Sequence, residues 1–227
     1  YRLGNGGKFR HRFELVSDKG TADKHLRHPM DVAIDFTGRY LVVNNSPYVR
    51  VYSQNGRFER RFNTLVPTEY RGDIQVNLQC IDTSVNGDVI FVGDYMRKMV
   101  TIHNSSYAVT GTLNTGIAPV YISSNRDGTH IAVSDDSEGK VTVFDVTRCQ
   151  EMFSFHTDNV SGVSYHPTSD SLFVASGSSI GGSTGSVDQY CCRSGGLVGR
   201  PIQKLLRPYG LCCTYKDKLV VSDKNTV

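Results

Sequence analysis

The sequence predicts an all-β fold, a β-propeller of four-stranded antiparallel blades, and three observations predict it. Five apolar runs share one pattern: LVVNN from Leu41, IFVGD from Ile90, IAVSD from Ile131, LFVAS from Leu172 and LVVSD from Leu219. Their starts are 49, 41, 41 and 47 residues apart. Each run follows an apolar strand and a turn, as in DVAIDFTGR, LQCIDTSVNGD and VYISSNRDGT, and little of the chain reads as helix. Four short strands in every ~45 residues, joined by Gly, Asp and Asn turns, is the arithmetic of a propeller blade. Such sheets cannot bury both faces alone, so they stack on their neighbours around an axis.

The elements follow in order. After four of the runs comes an alternating strand, in VRVYSQNG, VTIHNSS, VTVFDV and VDQYCC. Closing strands follow in RFERRF (57–62) and EMFSF (151–155). Blades are expected to start near residues 29, 76, 119, 160 and 208, within a single domain over 1–227. Val42, Phe91, Ala132, Phe173 and Val220, central in the second strands, are expected to pack between blades. KFRHRF (8–13) reads as a closing strand without its own blade, and the chain stops after two strands of the fifth unit. Because an open edge invites aggregation, the expectation is a six-bladed ring that strand 8–13 helps to close, with the chain incomplete at its C-terminal end.

Composition bounds the function. The 227 residues are 38% hydrophobic and 21% charged, an ordinary globular balance. A net charge of +3 is too weak to establish a nucleic-acid partner and compatible with one. No apolar run approaches the ~18 residues of a membrane span, and no signal peptide opens the chain, so no membrane partner and a cytoplasmic location are expected. The six cysteines show no C-x-x-C spacing and read as strand residues of a reducing compartment. Asn-x-Ser triplets at Asn44, Asn104 and Asn159 do not overturn that reading.

In a propeller, the turns after the second strands and the connections leading into the first strands share one face around the axis. Aromatic and cationic residues recur there. Tyr48 and Arg50 follow the first such turn with His28 before the same blade; Tyr95, Arg97 and Lys98 form the second, approached by Tyr70 and Arg71. Lys224 follows the last second strand, approached by Arg207 and Tyr209. Single-stranded RNA uses this pairing, with bases stacked on tyrosine or guanidinium planes and phosphates met by cations. The third turn, DDSEGK, is acidic and unsuited to phosphate. Asp94, Asp135 and Asp223 are expected to fold back on turn amides.

The stretch HPMDVAIDFTGRYLVVNNSPYVRVYSQNGRFERRF (28–62) resembles an NHL repeat, with HIAVSDDSEGKVTVFDV and RPYGLCC similar in part. Asn45 and Ser176 stand where that repeat has Asp. With GNGGKFRHRF as its lead-in, the chain resembles the C-terminal domain of TRIM-NHL proteins. The resemblance implies a cytoplasmic post-transcriptional regulator that represses mRNAs through their 3′ untranslated regions, downstream of a RING ubiquitin-ligase region. It implies binding of short, uridine-rich RNA or of a protein target. The family's RNA-contacting turn falls on Arg97 and Lys98, and loosely on Ser46, Pro47 and Tyr48; its pre-proline site falls on His28 and Arg207. Glutamates at 97 and 98 are expected to abolish RNA affinity and leave stability unchanged.

An enzyme is not expected. The seven histidines do not recur at one repeat position, and no Ser-His-Asp order, H-E-x-x-H motif or phosphate-cradling P-loop stands out. No metal or cofactor is expected. The alternative to RNA is a protein-interaction module, since tyrosine and arginine also dominate protein hot spots.

Overall fold

The structure, a computed structural model, describes residues 2–3, 9–10, 28–64, 75–177, 184–214 and 216–223. All regular structure among them is strand. β1 (Arg2–Leu3) and β2 (Phe9–Arg10) pair as a small ribbon. The first large sheet holds β3 (Asp31–Ile34), β4 (Tyr40–Val43), β5 (Tyr48–Tyr52) and β6 (Phe58–Asn63). The second holds β7 (Leu78–Thr83), β8 (Ile90–Asp94), β9 (Met99–His103) and β10 (Val109–Asn114). The third holds β11 (Tyr121–Ser124), β12 (His130–Asp135), β13 (Lys140–Asp145) and β14 (Gln150–His156). The fourth holds β15 (Val160–Tyr165), β16 (Ser171–Ser176), β17 (Gly185–Cys191) and β18 (Leu197–Leu205). A hairpin of β19 (Pro208–Cys213) and β20 (Leu219–Asp223) completes the set.

Each four-stranded sheet is an antiparallel meander in sequence order, and the first strand of each packs against the first strand of the next, from β3 through β7, β11 and β15 to β19. This is an all-β, β-propeller-like architecture of four four-stranded sheets and two two-stranded ones among the described residues.

Local chemistry forms the first hairpins. In Asp35–Gly38 the Asp35 carboxylate accepts the amides of Thr37 and Arg39, while Gly38 supplies the left-handed residue at φ 79°. Ser84–Gly87 and Asn125–Gly128 repeat the turn. In the last hairpin Asp217 takes the left-handed position at φ 54°, one of the few residue types that tolerates it.

The core lies between sheets. Leu41, Val43, Val49 and Val51 of the first meet Leu78, Ile81, Ile90 and Val92 of the second; Phe91, Val100 and Leu113 then meet Ile122, Ile131 and Val133. Val42, Phe91, Ala132 and Phe173 are buried as expected, but Val220 is 40% exposed. Nothing among the described residues stacks on the outer side of the last hairpin. On the first sheet, Met30, Val32, Ile34 and Phe36 alternate along β3 and its flanks and are each about half exposed.

Of the N-terminal strand expected over 8–13, Phe9–Arg10 pairs with Arg2–Leu3, and residues 8 and 11–13 lie outside the described residues.

The inner strands are also joined by polar cross-links. Asp31 on β3 accepts the Ile81 amide of β7 (3.0 Å), and Asp82 on β7 accepts the amide and hydroxyl of Ser124 on β11 (2.6 and 2.8 Å). Ser123 on β11 accepts the Tyr165 amide (3.0 Å), and Ser164 on β15 accepts the Cys213 amide (3.0 Å). One side chain per sheet thus reaches the backbone of the next. Burial pushes the Asp31 carboxyl up to about 7, its own hydrogen bonds opposing the shift, and pushes Asp82 up to about 6.

Candidate functional site

Hydrogen bonds hold the two sets of connections together on one face. Asp94 ends β8 and accepts the Asn77 amide that leads into β7; Asp135 ends β12 and accepts the Ala118 amide that leads into β11. Asp223 ends β20 and accepts the amides of Leu206 and Arg207 that lead into β19. Asp94 and Asp135 also accept amides of their own turns, as expected from the sequence. For Asp135, burial is outweighed by these bonds and by the Ser137 hydroxyl, which together hold the carboxyl below its ordinary range.

Several residues expected on this face have other work. Arg50 is buried, with its guanidinium on the Asn44 side chain and 3.3 Å from the Ser46 hydroxyl, so it supports the turn from beneath. Tyr48 is half-buried, with the Arg61 guanidinium 4.3 Å from its ring centre. Tyr48 and Arg50 alternate with the core residues Val49 and Val51, which puts them on the sheet's far surface, in the cross-strand row of Val42 and Arg61. Arg97 is also not solvated. Its side chain is 11% exposed and pairs at 2.5 Å with the fully buried Asp94 carboxylate. A glutamate there would face a buried carboxylate, so the expectation of unchanged stability is corrected.

Asn45 is exposed and left-handed (φ 41°), and it spans the first two sheets through its amide to Leu78 O and its side chain to Gln79. Tyr95 is half-buried and donates its amide to Asn77 O. Lys98 is exposed at φ 50°, with its carbonyl fixed by the amide and hydroxyl of Thr115. His28 is exposed at φ 49°. Tyr70, Arg71 and Lys224 lie outside the described residues.

Arg207 and Tyr209 are brought together: both are exposed, and the guanidinium lies 5.1 Å from the tyrosine ring centre. They wall a cavity of about 170 Å³ with Tyr121, Asp136, Asn159 and Ser161, where the third, fourth and last sheets meet on this face. The close approach is set by Gly162, where a Cβ would stand 2.7 Å from the Tyr209 carbonyl oxygen. Burial pushes the Tyr121 phenol up, and the neighbouring charges of Asp136, Asp31 and Tyr209 add to it. Asp136 also borders a wider groove of about 530 Å³ with Glu138, His156, Asp158 and Tyr190. Asp136, Glu138 and Asp158 are exposed and form no ion pair among the described residues.

Sequence reasoning missed Tyr121 and Asn159 as partners of Arg207 and Tyr209. The available signal was their position, since Tyr121 follows the connection into β11 as Tyr209 follows that into β19. None of the six cysteines is in a disulfide. Among the described residues no three His, Cys, Asp or Glu side chains gather as a metal site, and no helix is long and apolar enough to cross a membrane.

Fold and face together define a β-propeller-like, all-β protein with a cavity beside the inner strands. No protein-family model matches the chain, and no curated protein matches it. Among solved structures it is similar to the hydrazine synthase of Kuenenia stuttgartiensis, with a TM-score of 0.69 and 17% identity over 90% of this chain. The match spans 58% of that protein, less than two thirds of its length, and the likeness concerns the fold alone.

Proposed function

We propose that the chain is the RNA-binding propeller of a TRIM-NHL-like, cytoplasmic post-transcriptional regulator. In this reading it has six blades of NHL type and no catalytic activity of its own. It takes short single-stranded RNA across the face formed by the Asp94, Asp135 and Asp223 connections. The observation that carries the reading is the exposed Arg207–Tyr209 pair on the wall of the 170 Å³ cavity, with Lys98 exposed on the same face. A tyrosine plane beside a cation is what a stacked base and its phosphate require, and one base–aromatic stack contributes about 1–3 kcal/mol. Because Arg50 and Arg97 are committed to Asn44 and Asp94, the electrostatic part is small and stacking dominates.

The test is fluorescence anisotropy with a uridine-rich hexamer across a salt series. Affinity is expected to fall by about 0.7 log units per log unit of salt for each phosphate contacted, and Lys98→Glu is expected to weaken it. No binding at low salt sinks the reading.

A second reading, a protein-interaction module, is favoured by one observation: the carboxylates of Asp136, Glu138 and Asp158 border the groove beside the cavity without ion pairs among the described residues. That sign repels phosphate and attracts lysine or arginine. Binding of basic peptides by a chain that ignores RNA would establish it.

A further inference from the structure

The cavity between the third, fourth and last sheets holds more than a stacking plane. Its walls carry one cation, Arg207, and one exposed carboxylate, Asp136, which are not paired with each other. Tyr209 is 44% exposed beneath the Arg207 guanidinium, and the field of Asp136 reaches the Tyr121 hydroxyl. A ligand that satisfies all of these is flat, offers donors to a carboxylate, and carries negative charge at another edge.

We propose, building on the RNA reading, that this cavity is a base-selective slot that takes a guanine of single-stranded RNA. The guanine stacks on Tyr209, its Watson–Crick edge meets Asp136, and its phosphate lies toward Arg207. The selectivity follows from donor and acceptor patterns. An ionised carboxylate only accepts, and its two oxygens can take two parallel hydrogen bonds. Guanine presents two adjacent donors, N1–H and the N2 amino group, on one edge. Adenine and cytosine place an acceptor beside their amino groups, and uracil flanks its one donor with acceptors; each of these would set a lone pair against Asp136. Unstacked bases are read on this edge in single-stranded recognition. The acidic groove beyond Asp136 turns the phosphate chain away, toward Arg207.

The experiment uses the 227-residue chain and hexauridylates in which one residue is guanosine, adenosine or inosine, read by anisotropy at fixed salt. Inosine keeps N1–H and lacks the N2 amino group. The guanosine oligomer is expected to bind about tenfold tighter than the adenosine one, the size of one bidentate base contact, with inosine between them. Asp136→Asn is expected to erase the preference and to retain or raise affinity for plain hexauridylate, while Tyr209→Ala weakens every oligomer. RNA binding with guanosine, adenosine and inosine equal overturns the slot and leaves the RNA reading standing, and so does a preference that survives in Asp136→Asn. Failure of every oligomer to bind overturns both. The inosine comparison needs no variant, so the result does not depend on how well Asp136→Asn folds.

Discussion

Replacing Asp31 by Asn should change the sign of its effect on stability with pH. The ordinary carboxyl value of 3.8 is raised to about 7 in the folded chain, chiefly by burial. A folded-state value above the unfolded one means that the native chain holds a proton which the unfolded chain releases. The contribution to stability is therefore complete below about pH 4 and lost as pH rises through about 7. The interval corresponds to a ceiling of about 4 kcal/mol, which solvent at the partly open β3 edge cuts to about 2. Asn keeps an acceptor for the Ile81 amide but turns a donor toward the Val32 amide, now bound to Asp31 at 2.8 Å, at a cost of about 1 kcal/mol. At about pH 8 the variant should gain about 1 kcal/mol, raising Tm by about 2–4 °C. At about pH 3.5, below the unfolded value of 3.8 so that both states hold the proton, it should lose a similar amount. Circular dichroism melts of both proteins at the two pH values test this. A variant less stable at both refutes the claim that burial governs Asp31.

Further expectations concern single contacts. Tyr107 donates its hydroxyl to the Asp35 carboxylate at 2.6 Å across the first two sheets, so Tyr107→Phe should cost about 1.5–3 kcal/mol in a urea titration. Arg97→Ala strips the buried Asp94 of its cation and should cost about 3–5 kcal/mol, whereas Lys98→Glu should leave Tm unchanged and lower RNA affinity. Gly162→Ala would force β15 and β19 apart, since its Cβ meets the Tyr209 carbonyl at 2.7 Å, and should lower stability by about 1–3 kcal/mol in thermal melts.

The blades were legible because a strand hairpin writes its signal locally: alternation of period two, then a turn such as Asp35-Phe-Thr-Gly38. The second strands are buried where the pattern placed them, except that Val220 depends on a neighbouring sheet not found among the described residues. The site was less legible. Whether an arginine reaches solvent depends on what lies within its side-chain length, and Arg50 and Arg97 both turn back onto the carbonyl or carboxylate that caps their own turn. Tyr121 and Tyr209 lie far apart in sequence and share a cavity only because β11, β15 and β19 stack in order. The link from Asp31 to Ile81 was hidden for the same reason, since pairing between sheets carries no short-range signature.

The claim that the face of the Asp94, Asp135 and Asp223 connections binds RNA is tested most directly by photo-crosslinking. A hexamer carrying 4-thiouridine would be irradiated with the chain and the adducts mapped by mass spectrometry. The account predicts adducts at Tyr209, Tyr121 and the segment from Tyr95 to Lys98. Adducts confined to the opposite turns, at 125–129 or 166–170, or no adducts at all, would contradict it.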